Sequence, residues 1–179
     1  MKQASFSIII PIYNVEKYIA RALDSVLAQN YDNMEILCMD DKSPDSSADI
    51  ICKYTAHDAR IKLIKGDANI GLGAVRNRGM RLAKNDWVLF LDSDDWYETG
   101  LLHKLNVIIQ NNPNINIIEF QFNLAYPIEQ TNKCLQAGWL NRGESGLRKT
   151  ESENIVLTVY VWNKCWRHSF LIENNLENN

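Results

Sequence analysis

The feature that most constrains the fold is a nearly unbroken apolar run from Phe6 to Pro11 (FSIIIP), β-branched at its centre and halted by proline. Such a run has no polar face to offer water and reads as a strand buried on both sides. Immediately afterwards the period changes. Val15, Tyr18, Ile19, Ala22, Leu23, Val26 and Leu27 recur at helical spacing, with Asn14 placed to cap the helix. The unit then repeats: Met34 to Met39 reads as strand, Asp40 to Ser46 as a polar turn, and Ala48 to Tyr54 as a helix capped by Asp45 or Ser46. A third unit has a strand from Ile61 to Lys65 and a helix from about Gly71 to Ala83. A fourth has a strand from Trp87 to Leu91, the acidic cluster Asp92-Ser93-Asp94-Asp95 and a helix from Leu101 to Ile109, and Asn114 to Phe122 reads as a fifth strand. This alternation predicts an α/β fold, an open, mostly parallel Rossmann-type sheet with helices on both faces and right-handed crossovers.

A length of 179 residues suits one domain, spanning residues 1–179. With 19 basic and 22 acidic residues mixed along the chain, no basic stripe marks a nucleic-acid footprint, which excludes that class of partner. Cys38, Cys52, Cys134 and Cys165 are scattered, without a C-x-x-C pair, so they read as reduced thiols rather than as a zinc site or a disulfide framework. No apolar run approaches the roughly 20 residues that cross a bilayer, and the N-terminus lacks a signal-peptide core. The expected location is the cytoplasm, with any membrane contact peripheral and at the inner face. The polar ending, Glu173 to Asn179, marks no natural stop, and the chain is expected to be part of a longer protein. From Asn123 to Lys149 no period is visible, which reads as irregular structure over one face of the sheet.

In open α/β sheets ligands sit beyond the carboxyl ends of the strands, so the strand-to-helix loops hold the informative residues. Clustered carboxylates after an apolar strand repel one another unless a cation joins them. A hard divalent ion such as Mg²⁺ or Mn²⁺ takes one or two carboxylates plus phosphate oxygens, which makes Asp92 and Asp94 candidate metal ligands; a solvated turn in which Asp95 caps the next helix is the alternative. Asp40 and Asp41 end the second strand. An ionised carboxylate only accepts hydrogen bonds, so the pair could take the imide N–H of a uracil ring or ribose hydroxyls, or simply close a turn. Asn69 to Gly79 opens a helix with glycines and sets Arg76 one turn in, suiting close backbone approach to a ligand and a phosphate contact, or helix–sheet packing. It is not a G-x-G-x-x-G fingerprint, because the third glycine position is Arg76. His57, His103 and His168 lack a serine elbow and read as surface residues. The aromatic concentration from Tyr160 to Phe170, centred on Trp162, reads as packing or as a platform for a sugar face.

Taken together these segments resemble family 2 of the inverting glycosyltransferases, of the bacterial polysaccharide and glycan-synthesis type, with the GT-A fold. The resemblance rests on Ser7 to Asn14 (SIIIPIYN), Met39 to Asp45 (MDDKSPD), Asn69 to Gly71 with Ala74 to Gly79 (AVRNRG), and Phe90 to Asp95 (FLDSDD). Val161 to Lys164 with Arg167 to Leu171 looks like a later family segment. It implies that Pro11, Tyr13 and Asn14 line a nucleoside pocket, that Asp41 contacts the base, that Arg76 lies near the nucleotide, that Asp92 reaches the ribose or the metal shell and that Asp94 ligates the metal. It also implies a nucleotide-sugar donor, UDP-type before GDP- or dTDP-type, and a glycan or lipid-linked acceptor. Two positions depart from the family pattern: Lys42 stands where glycine is common and Met39 where valine is. The Glu-Asp pair that supplies the catalytic base in such enzymes does not occur between Asp95 and Asn179, and Glu173 and Glu177 substitute poorly on spacing. The catalytic base is therefore unassigned, and the chain is read as a GT-A domain lacking the C-terminal part of a full enzyme. A nucleotide-sugar-binding module without turnover is the main rival reading. An aspartate-nucleophile phosphatase ranks last, since its D-x-D belongs on the first strand, which here runs into Pro11-Ile12-Tyr13-Asn14.

Overall fold

The computed structural model describes residues 2–120 and 161–178. The irregular region expected between Asn123 and Lys149, the end of the fifth strand beyond Phe120, Cys134 and Tyr160 lie outside the described residues. The elements are β1 (Phe6–Ile12), α1 (Ile19–Leu27), β2 (Met34–Asp40), α2 (Ser47–Thr55), β3 (Ile61–Lys65), α3 (Leu72–Leu82), β4 (Trp87–Phe90), α4 (Leu101–Asn111), β5 (Ile117–Glu119), β6 (Lys164–Arg167) and α5 (His168–Glu173). They form one six-stranded sheet in the order β3-β2-β1-β4-β6-β5. β1 pairs in parallel with both β2 and β4, β2 pairs in parallel with β3, and β6 runs antiparallel to both β4 and β5. The sheet is thus mostly parallel with one inverted strand.

Each residue of β1, β2 and β4 is buried, as continuous strands sandwiched between two helical layers must be. One layer is α1, α2 and α4, which pack Ile19, Ala22, Leu23, Val26, Ile51, Leu102 and Leu105 against Ile8, Ile10, Ile36 and Leu89. The other is α3 and α5, whose Val75, Met80 and Leu171 meet Ile9, Leu37, Val88 and Phe90. Gly79 lets α3 press onto the sheet: a Cβ there would lie 2.5 Å from the Ile9 Cγ2.

Two local expectations differ from the structure. α1 begins at Ile19, not beside Asn14, because Asn14 takes a left-handed φ of 56° that ends the strand with a turn. Tyr18 and Ile19 then donate to the Val15 carbonyl, so a separate turn precedes the helix. The strand β6 falls within the aromatic segment read only as packing or platform; Trp166 pairs with Val88 and Cys165 with Leu89. Four residues that alternate Lys, Cys, Trp and Arg carry too little apolar periodicity to announce a strand, and its pairing to β4 is entirely long-range. Cys38, Cys52 and Cys165 are free thiols. Among the described residues no helix is long and apolar enough to cross a membrane.

Candidate functional site

The sheet order places β1 between β2 and β4, so the chain leaves β1 toward one edge of the sheet and β4 toward the other, with a crevice between them at their carboxyl ends. A cavity of about 480 Å³ lies there. The end of β1 contributes Pro11, Ile12 and Tyr13, and the turn after it Val15; β2 runs into Asp41. The far wall is Asn69, Gly71, Leu72 and Val75 at the start of α3, and Asp92, Ser93 and Asp94 close the edge after β4. Seven of the residues picked from sequence, Pro11, Tyr13, Asp41, Asn69, Gly71, Asp92 and Asp94, therefore meet in one cavity. Asn14, Asp40 and Arg76 do not line it.

Each of those three supports a neighbour. Asp40 caps the turn after its strand, its carboxylate accepting from the Ser43 amide at 3.0 Å while its carbonyl accepts from Gly66 at 2.7 Å. The Asn14 amide donates to the Ser43 hydroxyl at 3.2 Å. That bond belongs to a set that ties the two loops together: Val15 N–H donates to Ser47 Oγ at 3.1 Å, Glu16 N–H to Asp45 at 2.9 Å, and Ser46 N–H returns to Glu16 at 3.0 Å. Asp45 also accepts from the Ser47 amide at 3.1 Å, the expected help at the start of α2. These bonds, together with those to Ser47, hold the Asp45 carboxyl below the usual range against a desolvation that pushes it up.

Asp41 is buried and bridges the two walls. Its carboxylate oxygens accept from the amides of Ile70 at 2.8 Å and Gly71 at 2.9 Å, and its own N–H donates to the Ile12 carbonyl at 2.9 Å. Gly71 presents its amide from φ 86° and ψ 158°, a conformation almost reserved for glycine, and starts α3 from there. Lys42, next to Asp41, also sits at a positive φ, 61°, a conformation that favours glycine.

At the other edge Arg76 pairs with Asp92 through Nη2 and Oδ1. Among the described residues the buried Arg76 Nε has no hydrogen-bond partner. The Asp95 N–H donates to the Asp92 carbonyl at 2.9 Å and rounds off the turn. Desolvation, then the charges of Asp94 and Asp92, push the Asp95 carboxyl above its ordinary pKa, with Arg21 opposing. Asp94 is exposed, and among the described residues its carboxylate accepts no hydrogen bond; only its backbone carbonyl is held. The register brings Lys164 level with Phe90, beside this edge. Burial pulls the Lys164 ammonium pKa down and the Glu119 charge opposes it.

Several residues of this edge escaped the sequence reading. Arg21 and Ser25 on α1 and Gln29 just past its end reach the acidic loop, and their only signal was polar side chains at four-residue spacing beside an apolar stripe. Glu177, weighed as a base, pairs with Arg81 at 3.2 Å near the far end of α3 and lines no part of the cavity. His168 is not a simple surface residue: its ring meets the Met80 carbonyl at 2.9 Å.

The chain is similar in sequence and fold to known glycosyltransferases. The family model described as glycosyl transferase family 2 matches residues 7–163. The EpsH protein of Bacillus subtilis strain 168 is 32% identical over 175 residues, covering 96% of this chain and 49% of that protein. Glycosyltransferase GlyA of Streptococcus pneumoniae is 37% identical over 119 residues, 66% of this chain and 16% of GlyA. The crystal structure of S. aureus TarS 1-349 in complex with UDP superposes with a TM-score of 0.75 at 26% identity, over 97% of this chain and 49% of that one. The chain thus spans about half the length of EpsH and of that TarS structure. With its fold, its loop motifs and most of its length matched, this chain belongs to glycosyl transferase family 2.

Proposed function

We propose that the cavity binds the nucleoside diphosphate part of a nucleotide sugar, UDP-linked before GDP- or dTDP-linked. The complete protein would then transfer the sugar, with inversion, to a hydroxyl of a glycan or lipid-linked acceptor. The observation that carries this reading is the convergence of Asp41, Asp92 and Asp94 on one crevice at the switch point of a family 2 chain. TarS, similar over almost all of this chain, is known in complex with UDP.

Asp41 can serve a base without leaving its loop. Each carboxylate oxygen has two lone pairs, and the amides of Ile70 and Gly71 occupy one on each, leaving acceptor capacity for an imide N–H. Half-exposed Tyr13 offers a ring to the base at the rim, with Pro11 beneath. Among the described residues no group of three or more His, Cys, Asp or Glu side chains is assembled to cage an ion. An exposed Asp94 with a free carboxylate, next to Asp92, does fit Mg²⁺ or Mn²⁺, which keep waters and take substrate phosphate oxygens alongside one or two carboxylates. When bound, the ion would offset the charge developing on the diphosphate leaving group. Arg76 holds Asp92 in place and adds positive charge beside the same edge. The reaction would take place in the cytoplasm, at the inner membrane face when the acceptor is lipid-linked.

Calorimetric titration with UDP, with and without Mn²⁺, tests the reading. Saturable UDP binding should strengthen with Mn²⁺, and Asp94→Ala should remove the strengthening. Absence of binding at millimolar UDP would sink it.

One observation favours a second reading, that these 179 residues bind the donor without turning it over. The carboxylates lining the cavity among the described residues are Asp41, Asp92 and Asp94, each assigned to donor or metal, and Glu177 is engaged with Arg81. Hydrolysis or transfer of a UDP-sugar by this chain would exclude it.

A further inference from the structure

Between the end of β4 at Phe90 and the start of α4 at Leu101 the chain has no regular structure, yet this stretch carries two of the cavity's three acidic residues, Asp92 and Asp94. A loop without its own ladder needs outside partners for its backbone groups if it is to hold one shape. Here they come from α1 and the turn that ends it. Arg21 Nη2 donates to the Asp94 carbonyl at 2.6 Å, and the Tyr97 amide donates to Ser25 Oγ at 3.0 Å. Gln29 Nε2 donates to the Glu98 carbonyl at 3.0 Å, and Gln29 Oε1 accepts from the Leu102 amide at 3.3 Å.

Arg21 and Ser25 lie one turn apart on α1, flanking its buried stripe of Ile19, Ala22, Leu23 and Val26, and Gln29 continues the same side in the turn that ends the helix. Each polar group is oriented by a second bond. The Ser25 hydroxyl proton goes to the Ala22 carbonyl at 2.7 Å, which leaves its oxygen to accept. The second Gln29 amide proton goes to the Ser25 carbonyl at 3.0 Å. Gln29 is buried and its amide is fully used, so it cannot turn without stranding several groups. Arg21 lies over the Trp96 ring, 4.1 Å from its centroid, and the Tyr97 hydroxyl donates to the Phe90 carbonyl at 3.0 Å, fixing the loop at both ends.

We infer that the stripe Arg21, Ser25 and Gln29 positions the acidic loop for donor binding, with Arg21 the member that sets Asp94. Ser25 and Gln29 clamp residues 97 to 102, where the loop joins α4 and where folding and positioning cannot be separated. Arg21 grips the peptide of the cavity residue itself, from an exposed site that the core does not need. Its role is that of a positioning residue: it touches the backbone and Trp96, not the donor. The inference rests on the reading of Asp94 as the metal ligand.

The test compares Arg21→Met, Arg21→Lys and wild type in the 179-residue chain. Methionine keeps a long apolar stem against Trp96 and deletes the hydrogen bond and charge; lysine restores both in part. UDP affinity without metal should be equal in all three. The gain in UDP affinity on adding Mn²⁺ should fall about tenfold in Arg21→Met, as slight misplacement of a ligating group does, and recover largely in Arg21→Lys. In metal-free protein, hydrogen exchange at the Asp95 and Tyr97 amides should quicken in Arg21→Met alone, while the thermal midpoint stays near wild type. An unchanged Mn²⁺ gain in Arg21→Met would overturn the inference. If wild type itself shows no Mn²⁺ gain, the metal reading fails, and the exchange rates still decide whether Arg21 sets the loop: unchanged rates would refute it. A collapse of the Arg21→Met fold would equally refute the separation of positioning from stability.

Discussion

The two ends of the same sheet both carry buried carboxylates, and they use them in opposite ways. At the amino end Glu35 of β2 accepts from the Ser7 hydroxyl at 2.7 Å, the Lys84 amide at 2.8 Å and the Lys62 ammonium at 2.6 Å. Nearby, Asp86 accepts from the Ser5 hydroxyl at 3.0 Å, and the Ser5 oxygen in turn accepts from the Asp86 amide at 3.0 Å. Both Glu35 oxygens are matched from within the chain, and the result is a seam joining β1, β2 and β3 to the turn before β4. At the carboxyl end the matching stops short. Asp41 holds a loop and keeps spare acceptor capacity, the buried Arg76 Nε has no partner among the described residues, and the Asp94 carboxylate stands exposed. Polar groups satisfied by their own chain stabilise it, and polar groups left open await a ligand.

Substitutions at the two ends should separate these roles. Glu35→Ala should have the largest effect on stability, about 3 kcal/mol in urea unfolding, because it strands the Ser7 hydroxyl and Lys84 amide and breaks the Lys62 pair. It should leave UDP binding intact. Asp94→Ala should do the reverse: the Mn²⁺-dependent part of UDP affinity falls by about a hundredfold, or about 2.7 kcal/mol, with no change in the unfolding midpoint. Loss of stability in Asp94→Ala, or loss of binding in Glu35→Ala, would break the division.

Gly71→Ala tests the hinge between the two roles. Among the described residues nothing beyond the adjoining chain lies within 4 Å of the Cβ that alanine would add, so the expected cost comes from the backbone at φ 86°. About 2 kcal/mol is expected from that region of conformational space. Because the Gly71 amide bonds Asp41, UDP affinity should fall as well, which calorimetry on the folded variant would read.

The seam also predicts a pH dependence. Desolvation raises the Glu35 pKa, but the bonds from Lys62, Ser7 and Lys84 outweigh it, so the folded value lies below the ordinary 4.5. A depressed carboxylate contributes stability above its unfolded pKa and loses it as pH falls through the folded value. Wild type should therefore lose stability on acidification below about pH 4.5 more steeply than Glu35→Gln, whose amide does not titrate. Parallel curves for the two would remove Glu35 from the account.

How far the sequence showed this can be judged residue by residue. The strands β1 to β4 were legible because continuous apolar runs alternating with helical periods have few other readings. The three site loops were legible because carboxylates and glycines at strand ends are specific. β6 was not, since a short strand that owes its place to pairing with β4 leaves no local period. The stripe along α1 and the turn that ends it was not either: Arg21, Ser25 and Gln29 look like an ordinary solvated flank until the loop they hold is folded onto them. The Asp41 clamp on Ile70 and Gly71 lies between motifs 29 and 30 residues apart, a distance over which pattern reading has no reach.

The smallest effect bears on how much strain the open end tolerates. Lys42 follows Asp41 with φ 61°, a left-handed conformation that costs a residue with a Cβ about 1–2 kcal/mol relative to the right-handed one. Glycine would remove that cost but has more freedom to lose on folding, about 0.5–1 kcal/mol, so Lys42→Gly should stabilise the chain by roughly 0.5–1 kcal/mol in urea unfolding. The lysine side chain is exposed and lines no part of the cavity, so UDP affinity should not change with the strain relieved. If affinity instead falls with Lys42→Gly, the ammonium contributes to binding by charge, and the open end extends past the cavity wall to the turn that follows β2.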